Sequence, residues 1–377
     1  MIFSSIQVTL FGRLAIVTLP LLWHCGRATP GSQTDCAGGS RLVVCRDTQE
    51  MYVAAGSAVT SIDMTKSRIK WRSDVGSSER VTDLAVTAEV VAFGTENDAG
   101  DAIEGVSRIT GRPAWLVRVN KTRDLLAAGP YLIAQTSDRE GLVAIDGRTG
   151  SIVWRHTRPG FSGYVKLLAS SGQTILTDAF SIDGPSGRIL QRWPLSNLTS
   201  GTFVGDKRIV GNSNGRLLGY REDWSLAWSK QLSMPVEPGT RSTDNSWLGL
   251  LAGSSDVVLA AAWVPGQRTT ARVFALSSDG DLLWTYDLDN VNFQAPGPVG
   301  ICNGVALIVT KAADTGFSTV SAFDLRTGAQ RWTSLAVPES LVGRDLVSDG
   351  RRCYLAASHS IFNIDLTSGK LTAVWPF

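Results

Sequence analysis

The chain has 377 residues, of which 43% are hydrophobic and 19% charged, a composition typical of a folded protein rather than a disordered one. Its 36 basic and 34 acidic residues leave a net charge of +2 and are spread along the chain without blocks. This balance provides no basic stripe for nucleic acid, so we predict no nucleic-acid partner. The 38 glycines indicate many turns.

Residues 1–28 have the order of features that an export signal requires. Arg13 precedes an apolar run at 14–23, which is shorter than the about 20 apolar residues that a membrane-spanning helix needs. Gly26 and Ala28 then provide small residues at the two positions that a signal peptidase reads. We therefore predict cleavage after Ala28.

Lipidation at Cys25 is the alternative, although Trp23 and His24 are bulkier than the residues that usually precede a lipidated cysteine. Either route places the protein outside the cytoplasm, as a periplasmic, secreted or outer-membrane protein, and lipidation would add a membrane anchor. Residues 29–40 are expected to be flexible, and residues 41–377 to form a single domain.

A repeat organises residues 41–377. Asp146 precedes Gly150 by four positions and Trp154 by eight, and the same frame recurs along the chain. Some copies are complete and others eroded. The first residues of the eight copies are Asp63, Ser107, Asp146, Asp183, Tyr220, Leu276, Asp324 and Asp365.

Each copy predicts four short antiparallel strands. Apolar and small residues alternate before the Asp, as in a strand, and Asp-x-x-Thr-Gly is hairpin chemistry in which Gly supplies a positive φ. Two further strands precede the motif; in the third copy they are 124–128 and 131–135, separated by Gly129 and Pro130. Eight copies in 41–377 give about 42 residues each, the size of a propeller blade. The sequence therefore predicts an all-β, eight-bladed β-propeller of four-stranded antiparallel blades.

The motif Asp-x-x-Thr-Gly-x-x-x-Trp, with a small residue two positions before the Asp, resembles the tryptophan-docking motif of quinoprotein (PQQ-like) propellers. The resemblance covers 41–377 at the level of architecture. It implies that each indole is wedged between neighbouring blades, over the small residue and the Gly peptide. The predicted docking residues are Trp71, Trp115, Trp154, Trp228, Trp284 and Trp332.

This family contains quinone-dependent dehydrogenases as well as non-catalytic propellers, among them the BamB-like branch of outer-membrane assembly proteins. The chain has neither the adjacent cysteine pair of the dehydrogenases nor a Cys-x-x-Cys-His haem site. We therefore predict no catalytic, cofactor-binding or metal-binding residues, and a monomeric, BamB-like scaffold that binds a protein partner. The alternatives are a PQQ-dependent dehydrogenase relative and an extracellular glycan-binding propeller.

Other motifs favour structural interpretations. The segment from Gly211 to Gly215 matches the Gly-x-Ser-x-Gly nucleophile elbow, but strand-like residues flank it on both sides, which favours a hairpin turn. His156 and His359 have no second histidine at ligand spacing, so they are not predicted to be catalytic. The acidic segment 96–104 lacks the oxygen spacing of a calcium loop.

Irregular connections mark the predicted binding surface, because loops on a rigid framework usually carry recognition. Three stand out: 95–104, 234–247 and 264–270. Arg241 and Trp247 in the second are residue types enriched at interfaces, and they are the candidate partner contacts.

The cysteines support export, because Cys36, Cys45, Cys302 and Cys353 suit two disulfides. We expect Cys36–Cys45 and Cys302–Cys353. A rival pairing, Cys45–Cys353, would clasp the ring where blade one meets blade eight. Blade eight is itself expected to be complete without an N-terminal strand, unlike in BamB-like propellers.

Overall fold

The computed structural model describes residues 36–39, 42–76, 80–96, 101–119, 122–136, 141–156, 165–195, 197–232, 247–263, 271–288, 299–311, 318–334, 346–349, 351–357 and 360–376. These residues form strands and turns in eight antiparallel sheets. No helix in this part of the chain is both long and apolar enough to cross a membrane.

The eight sheets are the blades, numbered in chain order. Blade one contains β1 (Cys36–Gly39), β2 (Leu42–Cys45), β3 (Glu50–Ala55), β4 (Ala58–Asp63) and β5 (Arg68–Asp74). Blade two contains β6 (Arg80–Val86), β7 (Val90–Glu96), β8 (Ala102–Ser107) and β9 (Pro113–Arg118). Blade three contains β10 (Thr122–Ala128), β11 (Tyr131–Thr136), β12 (Leu142–Asp146) and β13 (Ile152–His156). Blade four contains β14 (Leu167–Ser171), β15 (Thr174–Thr177), β16 (Phe180–Asp183) and β17 (Ile189–Arg192).

The second half of the chain continues the same order. Blade five contains β18 (Leu198–Val204), β19 (Lys207–Asn212), β20 (Arg216–Tyr220) and β21 (Leu226–Gln231). Blade six contains β22 (Trp247–Gly253), β23 (Val257–Trp263), β24 (Ala271–Ser277) and β25 (Leu282–Leu288). Blade seven contains β26 (Val299–Cys302), β27 (Val305–Lys311), β28 (Ser318–Asp324) and β29 (Gln330–Thr333). Blade eight contains β30 (Leu346–Ser348), β31 (Cys353–Ala356), β32 (Ser360–Ile364) and β33 (Leu371–Pro376).

The blades form a closed ring. The strands β2, β6, β10, β14, β18, β22, β26 and β30 contact one another in this order, and β30 contacts β2. We call them the inner strands, because they surround the central channel. The predicted eight-bladed, all-β propeller is therefore confirmed, and blade eight is complete, as expected.

Strand order also defines two faces of the ring. Each blade runs from its inner strand outward in chain order, and all neighbours are antiparallel. The connections after the first and third of these four strands therefore lie at one end, here called the turn face. Those after the second and fourth lie at the other end, here called the loop face.

The hydrophobic core lies between blades. The buried apolar side chains of the described residues form eight clusters, and each cluster joins two adjacent blades. One cluster joins blade eight to blade one, where Val347 and Tyr354 pack with Leu42 and Met51. Strands that are buried on both sides explain why the second and third strands of each blade are so apolar.

The six predicted docking tryptophans occupy equivalent positions. Each indole Nε1 donates to a backbone carbonyl in the third hairpin of the next blade, which joins the third and fourth strands of that blade. Trp284 donates in this way to Leu325 at 2.9 Å. A glycine of that hairpin lies against the indole face, as Gly328 does against Trp284. The other acceptors are the carbonyls of Arg108 for Trp71, Gly147 for Trp115, Gly184 for Trp154, Ser278 for Trp228 and Leu366 for Trp332.

The repeat aspartates cap these hairpins. Oδ1 of Asp324 accepts from the amides of Arg326 and Thr327 at 3.1 and 3.0 Å, and from the Thr327 hydroxyl at 3.0 Å. Arg331 donates to Oδ2 at 2.8 Å. The Arg331 guanidinium and these hairpin donors hold the pKa of Asp324 below its ordinary value of 3.8. The aspartate thus fixes the hairpin into which Trp284 docks.

Replacing Asp324 by asparagine should destabilise the protein at neutral pH, because the charged partner of Arg331 is lost. A depressed folded-state pKa contributes stability above the unfolded pKa, and this contribution is lost as pH falls through the folded pKa. The difference in unfolding free energy between wild type and D324N should therefore narrow when urea titrations move from pH 7 to pH 3. A difference that stays constant over that range would contradict this account.

The cysteines follow the expected pairing where the structure describes it. Cys302 and Cys353 form a disulfide across the boundary between blades seven and eight, with their Cα atoms 6.2 Å apart. The rival Cys45–Cys353 pairing is therefore wrong, because Cys353 packs between blades seven and eight, whereas Cys45 packs between blades one and two. Cys45 is also disulfide-bonded, and Cys36 is its cross-strand neighbour.

The propeller begins earlier than expected. Residues 29–40 were predicted to be flexible, but β1 lies within them and adds a fifth strand to blade one. The register pairs Cys36 with Cys45 and Gly39 with Leu42. Blade one therefore departs from the four-stranded pattern, because backbone pairing with β2 orders a segment that lacks the alternation of a strand.

Candidate protein-binding face

The strand ends that flank the three predicted recognition segments all lie at the loop face. Segment 95–104 connects β7 to β8, segment 234–247 leads into β22, and segment 264–270 connects β23 to β24. Each of these connections follows the second or fourth strand of a blade. The topology therefore brings to one face strand ends that are far apart in sequence.

The long connections of the chain are confined to this face. Residues 157–166, 232–246, 289–298 and 334–345 all join strand ends at the loop face, whereas 365–370 is the longest connection at the turn face. Sequence reasoning identified the second of these but not the other three. For the last two, the signal was present in the spacing between the motifs of blades six, seven and eight.

The turn face is built for contacts between blades. Its third hairpins reach the first hairpin of the preceding blade, as when Arg108 of blade two pairs with Asp47 of blade one at 3.2 Å. Lys207 pairs with Asp279 of the next blade at 2.7 Å, with Asp279 largely exposed. The Lys207–Asp279 pair, with its exposed carboxylate, contributes little to stability, about 0–1 kcal/mol. Both pairs fix the register of neighbouring hairpins.

A buried cluster reinforces the boundary between blades one and two. Glu50 accepts from Lys70 and from the Tyr52 hydroxyl, and Arg108 donates to that hydroxyl at 3.0 Å. Burial favours neutral Glu50, but the hydrogen bonds from Lys70 and Tyr52 outweigh burial and hold its pKa below the ordinary value. Burial, together with the bond to Glu50, raises the pKa of Tyr52 well above its ordinary value. The charges are mutually compensated, so the cluster is best explained as structural.

Near the loop face, the inner strands of blades two to six share a local irregularity. In each of these blades the pairing of the inner strand with the second strand shifts by one residue. Such a β-bulge bends the strand and changes the direction of its side chains. The residues skipped in the pairing are Thr82, Arg123, Leu168, Thr199 and Gly249.

Polar side chains accompany these bulges in blades two to four. Asp83 is 4% exposed and accepts from the Leu125 amide of the next blade. Lys166 donates its amide to Asp178 and its Nζ to the Thr199 carbonyl of the next blade, both at 3.0 Å. A buried carboxylate on a bulged strand thus satisfies a backbone donor across a blade boundary. Sequence reasoning missed Asp83, because its partner is distant in the chain.

The boundary between blades four and five is an exception to tryptophan docking. Trp193 donates to the Thr177 carbonyl of its own blade at 2.8 Å. Trp224 takes the place of the docking glycine, with a positive φ of 67°, and its ring centroid lies 6.0 Å from that of Trp193. Arg208 lies over the Trp224 ring at 4.8 Å. Aromatic and cation–π packing replaces the docking arrangement here.

Of the other four candidate residues, the structure describes Trp247 and His156. Trp247 begins β22, where its backbone pairs with Trp263. Arg241 and His359 lie outside the described residues. His156 ends β13 and stacks on Phe180 of blade four at 5.1 Å.

Two further motifs are placed only in part, because residues 97–100 of the acidic segment lie outside the described residues. The Gly-x-Ser-x-Gly segment is the turn between β19 and β20, not a strand-to-helix elbow. In the part of the chain that the structure describes, no group of three His, Cys, Asp or Glu side chains could hold a metal ion.

Comparison with solved structures supports the same architecture. BamB from Moraxella catarrhalis aligns with a TM-score of 0.56 and 18% identity over 88% of this chain and 94% of that chain. Dihydro-heme d1 dehydrogenase NirN aligns with a TM-score of 0.61 and 14% identity over 86% of this chain and 72% of that one. The computationally designed protein Ika8 aligns with a TM-score of 0.57 and 13% identity over 94% and 100%, respectively. At these identities the likeness shows the fold alone.

Family membership rests on the sequence. No curated protein matches the chain. The family described as outer membrane protein assembly factor BamB matches residues 55–262 and 240–376. Because these residues are well over half of the chain, the protein belongs to the BamB family of PQQ-like propellers.

Proposed function

We propose that this protein is an exported, non-catalytic scaffold of the cell envelope that binds a protein partner through its loop face. The observation that carries the proposal is the confinement of the long connections to that face, opposite a turn face occupied by contacts between blades. Loops on a rigid framework commonly carry recognition. Membership of a family named for outer membrane protein assembly supports a protein partner and an envelope location.

A photo-crosslinking amino acid placed on each face should test the proposal. The loop-face label is placed at Arg241 and Gln267, in two connections that join strand ends of that face. The turn-face positions are Asp206 and Ser255, which are exposed in the first hairpins of blades five and six. In the cells that produce the protein, both loop-face positions should crosslink to the same partner at least about tenfold more than the turn-face positions, since hot spots cluster within one contact patch.

Equal yields from the two faces, or no protein adduct at either, would reject the proposed binding face. Oxidation of an alcohol or sugar with PQQ, Ca²⁺ and an electron-accepting dye would instead favour the dehydrogenase alternative. Saturable binding to a purified glycan would favour the glycan-binding alternative.

A further inference from the structure

The first strand determines where the chain enters the ring. The inner strand β2 runs from the loop face to the turn face, because its other end leads into the first hairpin of blade one. Strand β1 is antiparallel to β2 and pairs Cys36 with Cys45, at the turn-face end. Cys36, the first described residue, therefore lies at the turn-face end of β1.

Strand β1 lies at the centre of the ring rather than at its outer rim. One edge of β2 is paired with β3, so β1 occupies the other edge, which faces the channel. Strand β1 also contacts β6 and β30, the inner strands of blades two and eight. A strand that contacts three inner strands lies inside the ring.

A disulfide is positioned to hold β1 in place. Cys45 is fully buried and disulfide-bonded, while Cys302 and Cys353 are bonded to each other. Residues directly opposite in an antiparallel pair have Cα atoms about 4.5–5.5 Å apart. This spacing lies within the range of about 4.4–6.8 Å that a disulfide requires.

We propose that the N-terminal segment leaves the propeller through the centre of the turn face, locked there by a Cys36–Cys45 disulfide, and that this leaves the loop face free for the partner. The assignment of the partner to the loop face rests on the proposed function, whereas the exit and the lock do not. Ten residues separate Cys25 from Cys36. Any lipid on Cys25 would thus hold the turn face within about 40 Å of the membrane, since an extended chain spans at most about 3.6 Å per residue.

Distances between spin labels test the exit. One label replaces Gln33, and the second replaces either Asp206 at the turn face or Asn214 at the loop face. These two positions are exposed and flank the same strand, β19. Labels attached through a noncanonical amino acid leave the native cysteines paired.

The distance from position 33 to position 206 should be shorter than that to position 214 by on the order of 10 Å, because a six-residue strand is about 20 Å long. An equal or shorter distance to position 214 would overturn the proposed exit.

Peptide mapping of the unreduced wild-type protein tests the lock without any variant that could misfold. The expected result is a peptide that links Cys36 to Cys45; a link from Cys45 to any other cysteine, or a free Cys36 thiol, would overturn it. In the double variant C36S/C45S, the distribution of distances from position 33 should broaden, and an unchanged distribution would overturn the lock. Neither measurement involves a partner, so a failed crosslinking experiment and a failed exit are distinguishable.

Discussion

The variant G328A is expected to lower the free energy of unfolding by about 2–5 kcal/mol, because two penalties add at this position. Gly328 has a φ of 71°, in the left-handed region that disfavours a side chain. A Cβ atom there would also lie 2.6 Å from Cγ of Trp284 and 2.9 Å from its Cβ. Trp284 cannot retreat easily, since it is 9% exposed and its Nε1 is bonded to the Leu325 carbonyl.

Gly304 provides a matched control in the same blade. Its φ is 72°, but a Cβ added there would meet no atom within 4 Å. G304A should therefore cost only the backbone penalty of about 1–2 kcal/mol. Urea unfolding of both variants measures the difference, which isolates the indole contact. Equal losses of unfolding free energy in the two variants would mean that Gly328 is needed only for the conformation of the turn and not for the docking of Trp284.

The ring architecture could be predicted from the sequence because each repeat contains two contacting residues, a small residue and a tryptophan, that lie close together in the motif. The small residue two positions before the Asp lies directly across from the tryptophan, as Ala322 does from Trp332 and Ala144 from Trp154. A fixed spacing of small residue, glycine and tryptophan is therefore the sequence signature of a blade boundary. The number of copies then gives the number of blades.

Features that have no local sequence pattern were not predictable in this way. Strand β1 has the sequence Cys-Ala-Gly-Gly and is ordered by its pairing with β2, not by its own propensity. The cluster of Glu50, Tyr52 and Arg108 requires knowing which hairpins meet across blades one and two. No local pattern marks either one.

The eroded copies show the limit of the motif. In blade five the docking glycine is replaced by Trp224, and the displaced Trp193 of blade four packs against it. The displaced position of Trp193 in the motif indicated that docking differs at this boundary. The replacement contact between Trp193 and the Thr177 carbonyl, however, depends on the tertiary structure.

The candidate binding face was predictable in part. The long segments between motifs are visible in the sequence, whereas the face that they share follows from the direction of the strands.

The second large effect is expected from the disulfide that joins blades seven and eight. It links residues separated by 51 positions, and the chain-entropy relation gives about 4 kcal/mol of stabilisation for a loop of this size. The double variant C302A/C353A should lose stability of this order in urea unfolding. Both sulfurs are buried in the apolar cluster between the two blades, so truncation to alanine also removes packing. Reduction of the variant C36S/C45S, which retains the Cys302–Cys353 bridge and keeps its side-chain volume, separates the two contributions.

The location of this bridge predicts where the ring should open first. Blade eight meets blade one through an apolar cluster and a hydrogen bond from Arg46 Nε to the Ser348 carbonyl at 3.4 Å, with Cys353 already bonded to blade seven. The bridge thus anchors the last blade next to the closing boundary. In C302A/C353A, amide exchange should accelerate in β30 to β33 before it does in blades three to five, because local opening follows the least stable unit. Loss of less than about 1 kcal/mol, or uniform acceleration around the ring, would show that the apolar cluster alone closes the propeller.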